Sequence, residues 1–167
     1  MGIITAREFE IRDIEHELLI TSFHIHLREF ARRNNYEFTW EQEAIDHKKL
    51  INPDAIATLT TPKGTFYFCI EPERQKFNEN FLKKAKKYFT VFRKPEAEEL
   101  FGSKEFRVIF IVDTERKRQT VLQKFAEEYP YKMFWVTTVP LFQHDIAGQI
   151  FKTPKDYRTN SYSFLDI

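Results

Sequence analysis

Residues 52–74 read NPDAIATLTTPKGTFYFCIEPER, and this stretch decides the fold. Two short apolar runs, Ala55-Ile56-Ala57 with Leu59 and then Phe66-Tyr67-Phe68-Cys69-Ile70, are rich in β-branched and aromatic side chains, so residues 52–60 and 65–73 are expected as strands. Thr61-Pro62-Lys63-Gly64 forms the turn between them, with proline's fixed φ at the second position and glycine last, where a left-handed residue is easily placed. A two-residue loop pairs Thr61 with Gly64 and, counting outward, Asp54 with Glu71, about 5 Å apart. A glycine bulge would shift this by one residue. Like charges facing each other on paired strands repel unless something positive lies between them. The simplest such group is a divalent cation.

The helix expected next supplies a second candidate. Asn78 can cap a helix running to about Arg93. Phe77, Phe81, Leu82, Ala85, Tyr88, Phe89, Val91 and Phe92 occupy one arc of its wheel, and Lys83, Lys86 and Lys87 lie outside it. Lys84 falls inside the arc. Either its ammonium reaches toward the Asp/Glu hairpin, or its stem lies along the core and the charge emerges into solvent.

Working outward, residues 1–10 read as a lead-in, and residues 11–33 repeat apolar side chains at helical spacing until Asn34-Asn35. Ile11, Ile14, Leu18, Leu19, Phe23, Ile25, Leu27 and Phe30 are the expected inward positions. Glu15, Ser22, His26 and Glu29 form a narrow polar stripe inside that arc, either a boundary that reaches solvent or the place from which Glu15 projects toward the hairpin. Residues 36–43 alternate, with Tyr36, Phe38 and Trp40 on one face, as in a half-buried strand. Glu71-Pro72 is expected to end pairing on its strand, because proline has no ladder donor.

Residues 106–112 are apolar except for Arg107, the mark of a central strand covered on both faces. Asp113-Thr114 can cap a helix over 115–129 with Arg116, Lys117, Arg118 and Lys124 outward. Residues 133–139 form a further strand and Pro140 opens a short helix to about Gln149, so strand, helix and strand make a parallel crossover. Residues 152–167 are read as a polar tail, either an edge strand or an arm for another molecule.

Composition narrows the classes. With 167 residues and 42% hydrophobic side chains, the chain suits one domain, residues 1–167, with a full core. Four glycines leave little room for a phosphate-cradling loop, which disfavours nucleotide folds. The net charge of +1 conceals a basic block at Lys83, Lys84, Lys86, Lys87, Arg93 and Lys94 beside the acidic Glu96, Glu98 and Glu99. One cysteine, Cys69, excludes an internal disulfide and a cysteine zinc cluster. No apolar run has membrane length and no signal sequence opens the chain, so a cytoplasmic protein without membrane contact is expected.

The hairpin resembles the PD-(D/E)XK nuclease core, in which Pro-Asp opens one strand and Glu-x-Lys ends the next. The matching residues are Pro53-Asp54 and Glu71-Pro72-Glu73, with Glu73 in the place of the usual lysine. The pattern is closer to the plasmid replication-relaxation family, where Glu-x-Asp is followed by a helix bearing Lys-x-x-x-Tyr, the spacing of Lys84 and Tyr88. Ile14-Glu15-His16, Trp40-Glu41 and residues 108–116 (VIFIVDTER) extend the similarity over roughly two thirds of the chain. Members usually carry a winged-helix domain ahead of this part; none is read in these residues, as expected of an excised C-terminal domain or of a short relative. The resemblance implies an α/β fold with a restriction-endonuclease-like αβββαβ core, a mixed central sheet flanked by helices.

It also implies a site. Asp54 and Glu71 would hold Mg²⁺ or Mn²⁺ with hard oxygens, and the ion would lower the pKa of a bound water. Lys84 would orient that water or stabilise the transition-state charge. Glu73 would be a third ligand or a base, with Glu15 the acid from the first helix. Arg74, Lys76, Lys83, Lys87, Arg116 and Arg118 would meet DNA phosphates. On the residues alone, a turn hydrogen bond at Asp54 and an ordinary ion pair of Glu71 with Lys84 or Arg74 explain the pair as well. Three functions stay open: a metal-dependent deoxyribonuclease in plasmid or mobile-element replication, a degenerate nuclease fold that binds DNA or a replication protein, and an oligomerising domain, for which the aromatic tail is the hint.

Overall fold

The computed structural model describes residues 6–42 (side chains from residue 13), 51–74, 79–95, 98 and 106–167. In chain order these form α1 (Ala6–Arg33), β1 (Glu37–Gln42), β2 (Ala55–Thr61), β3 (Gly64–Glu73), α2 (Glu79–Phe92), β4 (Phe106–Val112), α3 (Glu115–Glu128), β5 (Phe134–Thr138), α4 (Val139–His144) and a closing 3₁₀ turn (Phe164–Asp166). The expected cap Asn78, its neighbour Phe77 and the basic residue Lys76 lie outside the described residues. The fold is α/β. One mixed sheet in the order β1-β2-β3-β4-β5 is antiparallel through β3 and parallel from β3 to β5.

The hairpin keeps the two-residue register from Thr61↔Gly64 to Ala55↔Ile70. Gly64 takes φ +138°, a backbone that side chains with a Cβ rarely adopt. β2 begins at Ala55, later than residue 52, because Pro53 has no N–H for the ladder. Pro72 does not end β3. Glu71, Pro72 and Glu73 pair with Phe110, Ile111 and Val112 of β4. Alternate residues of a strand turn their N–H and C=O to opposite neighbours. Even-numbered residues of β3 face β2, whose pairing stops at Ile70, so Pro72 has no ladder bond to lose.

Residue parity divides the core. Ile109 and Ile111 of β4 pack with α1 and the C-terminal segment, while Val108, Phe110 and Val112 pack with α2 and α3. From Val108 on, β4 is therefore buried on both faces, as its apolar run 108–112 implies. α1 starts at Ala6, inside the expected lead-in, and ends where Asn35 takes φ 54°. Its inward line is Ile20, Phe23, Leu27 and Ala31, but Ile14, Leu18 and Ile25 are 59%, 63% and 46% exposed. At about 100° per residue these three cluster on the opposite side from Phe23 and Leu27. The helix is apolar on two sides, and packing chose one. Glu15, Ser22, His26 and Glu29 are half-buried, as boundary residues are.

The tail is a correction. It is neither an edge strand nor a free arm: Phe151 pairs with Tyr162 and Lys152 with Val136, which folds residues 151–167 back onto the sheet. Phe164 is fully buried against Phe151 (4.8 Å between ring centroids), Phe68 (5.2 Å) and Phe30 (5.5 Å). Phe164 belongs to the core, and Tyr157 and Tyr162 pack partly against it. α4 is shorter than expected, ending at His144 with Asp145 as its C-cap. Phe164→Ala is expected to lower the unfolding free energy by about 3–5 kcal/mol, read by urea denaturation; a change below about 1 kcal/mol would mean that the tail does not dock.

Candidate functional site

Parity also places the acids. On β3 the odd-numbered Cys69 lies on the α2 side of the sheet, so Glu71 and Glu73 point the same way. α2 turns Phe81, Ala85, Tyr88 and Val91 onto that face, and Lys84 comes with them. Its Nζ donates to Glu71 Oε2 at 2.7 Å and to the Glu73 carboxylate. Tyr88, one turn on, donates to Glu71 Oε1 at 2.5 Å. Glu71 is 2% exposed and both its oxygens are engaged.

The electrostatics follow from this enclosure. The Glu71 carboxyl is raised to about 7 on balance: burial pushes it up most, the Lys84 ammonium pulls it back, and Asp54 pushes it further. Burial works against the Lys84 charge, but Glu71 and Glu73 override it, so the net shift of the ammonium is upward and it stays charged. Burial, and then Glu71, raise the Tyr88 hydroxyl well above its ordinary value, which keeps it a donor. A carboxyl that titrates near neutrality beside a fixed ammonium can exchange a proton without losing its place.

Asp54 sits one residue beyond the end of the paired ladder, on the register that continues to Glu71. Its Oδ1 lies 3.3 Å from His16 Nε2 of α1, and its Oδ2 is buried without a hydrogen-bond partner. The hydrogen bond to Asp54 raises the pKa of His16. The role of His16, which its sequence position left open, is thus to cover Asp54.

Glu15 is not part of this cluster. It pairs with Arg74 at 2.8 Å, both about half exposed, so the candidate acid and one candidate phosphate contact occupy each other. Lys83 and Lys87 are exposed on α2 as expected, and Arg116 is exposed at the start of α3. Arg118 is a correction: it is 8% exposed and holds the Ile150 carbonyl at 3.1 Å, with Glu115 2.8 Å from its Nε. Lys117, also expected outward, crosses to the Glu73 carbonyl at 2.6 Å and has a side chain only 10% exposed. β3 and β4 run parallel and end level, so the first turn of α3 meets the end of β3. Sequence reasoning gave Tyr88 and Lys117 no role. Tyr88 stood at i+4 from Lys84 on the inward face, a usable signal; Lys117 offered none.

Whether Mg²⁺ or Mn²⁺ suits this site turns on its donors. Asp54 Oδ2 is a hard oxygen that is buried with no hydrogen-bond partner among the described residues, but Lys84 and Tyr88 engage both Glu71 oxygens. Among the described residues no three of His, Cys, Asp and Glu are placed to hold a metal ion. As arranged, the residues do not fit the ion, and the internal ammonium supplies the positive charge that the facing acids require. No protein-family model matches the chain, and neither a curated protein nor a solved structure is significantly similar to it.

Two outcomes are expected. Lys84→Met should lower stability by about 3 kcal/mol, the low end for a broken buried pair because Lys84 keeps 38% side-chain exposure. In a Glu71→Gln background it should cost less, and equal costs in a double-mutant cycle would show that the two groups are independent. The second concerns pH. Glu71's folded pKa, about 7, exceeds its ordinary 4.5, so the native state holds the extra proton between those values. That contribution is complete below pH 4.5 and is lost as pH rises toward 7. Wild-type stability relative to Glu71→Gln should therefore fall across this window by at most about 1.4 kcal/mol per pH unit. A flat difference in urea titrations would contradict the shift.

Proposed function

We propose that this chain is a DNA-binding domain built on a nuclease-like αβββαβ core, of the kind that plasmid or mobile-element replication uses, with its acidic site closed by its own lysine. The observation that carries this is the division of lysines on α2. Lys84 faces inward and is held by Glu71 and Glu73, while Lys83, Lys86 and Lys87, with Lys94 beyond the helix, line an open groove of about 380 Å³. Exposed ammonium groups on successive turns, about 5.4 Å apart along the axis, meet a phosphate backbone without reading its bases. The order of elements supports the core: after α1, three antiparallel strands lead through α2 to a strand parallel with β3. A replication protein is the other partner class that the family resemblance implies.

A cutting activity is the second reading. It is favoured by Asp54 Oδ2, a buried oxygen with no hydrogen-bond partner among the described residues, on the residue that faces Glu71.

Fluorescence anisotropy with a labelled DNA duplex tests the first reading. Three or four phosphate contacts give a slope of log K against log salt of about −3. Lys83→Glu with Lys87→Glu should weaken binding at least about tenfold and flatten that slope by about 2. No binding at low salt, or binding indifferent to the charge reversal, would exclude it. Incubating plasmid DNA with Mg²⁺ or Mn²⁺ separates the readings. Nicking that disappears in Asp54→Ala and Glu71→Ala supports a nuclease; DNA that is bound and left whole supports a binding module.

A further inference from the structure

Ile14, Leu18 and Ile25 of α1 reach solvent on the side of the helix that faces away from Phe23 and Leu27. Single exposed aliphatic side chains are ordinary, whereas a line of them marks a contact surface. These three form a line. Ile14, Leu18, Thr21, Ile25 and Arg28 are all exposed, follow one another at alternating steps of four and three residues, and fall within about 80° of the helical wheel. That is the seam spacing of two helices packed along their length. Beside it, Val139 and Pro140 of α4 border a groove of about 340 Å³ with Leu18 and Leu19, which widens the strip; the polar end of the groove is at Arg74 and Asp113.

The charges along the helix decide what the seam fits. Its exposed acids, Asp13 and Glu17, stand in the first half, and its exposed bases, Arg28, Arg32 and Arg33, in the last. Among the described residues neither Asp13 nor Arg28 makes a hydrogen bond or an ion pair. Glu17 accepts from Gln42 at 2.6 Å. Glu15 and Glu29, on the other edge of the seam, are held by Arg74 and Arg32. A second copy of this helix laid antiparallel sets the acidic half of each against the basic half of the other, twice in one twofold interface, whereas a parallel copy would set like on like. With the twofold axis between Leu18 and Thr21, Ile14 faces Ile25 of the second copy and Leu18 faces Thr21, so the apolar layers close. Arg28 then leans toward Asp13 and Glu17 of the second copy.

We propose that the chain dimerises through α1, packed antiparallel on α1 of a second copy. α1 and α2 cover opposite faces of the sheet, so the dimer leaves both lysine grooves open. The interface is independent of the DNA reading.

The seam is short, so association is expected at the weak end, with Kd between about 1 and 100 µM. Sedimentation equilibrium from about 5 to 500 µM should show the mass rising toward twice the 20.2 kDa of one chain. Leu18→Glu with Ile25→Glu changes exposed positions only, should keep the helical circular-dichroism signal, and should raise Kd at least about tenfold. Asp13→Arg with Glu17→Arg should weaken the dimer at least about threefold, as should Arg28→Glu, and the three changes together should bring association back. Lys83→Glu with Lys87→Glu should leave it unaltered. A protein that stays monomeric at about 500 µM would overturn the proposal and leave the seam to a helix of another protein. A dimer indifferent to Leu18→Glu with Ile25→Glu, or charge reversals whose combination restores nothing, would overturn it as well.

Discussion

The ammonium of Lys84 between Glu71 and Glu73 is the contact on which the surrounding structure depends. A carboxylate as buried as Glu71 is costly unless a charge partner and hydrogen bonds replace the water it has lost. Lys84 supplies the charge and one hydrogen bond, and Tyr88 supplies the second. Both donors come from one face of α2, so the angle and rotation of that helix are tied to the acids of β3. Lys117 adds a brace from α3 by holding the Glu73 carbonyl.

The same helix is divided in its chemistry. Its inner face closes an acidic cluster, and its outer face presents exposed lysines, of which Lys83 lies 4.0 Å from Glu79. A near-neutral total charge conceals this separation. Glu71 titrates near neutrality through opposing influences, because burial and Asp54 push it one way while Lys84 and Tyr88 pull it the other.

Aromatic bulk does the remaining work. Phenylalanines fill both faces of the sheet, and the C-terminal segment closes one face with Phe151 and Phe164. A sheet needs cover on both sides when its central strand is apolar on both faces, as β4 is from Val108 to Val112, and here the two covers are α1 with the tail, and α2 with α3.

Local rules carried the hairpin and the inward lysine. Loop length and a side-chain period of two set the register that aims Asp54 at Glu71, and a period of about 3.6 puts Lys84 on the buried arc of α2, so both could be written down from the residues. The apolar run of β4 and the cap at Thr114 are local in the same sense. Other features depend on which surfaces meet. α1 has two apolar sides and nothing in its periodicity chooses between them; Pro72 stays in the ladder because β2 has already ended; and Arg118 is buried because the Ile150 carbonyl comes to it. Glu15 found Arg74 instead of the cluster for the same reason. Spacing along the chain sets which side chains share a face, but burial and partnership are properties of the assembled layers, and those are determined when the faces pack.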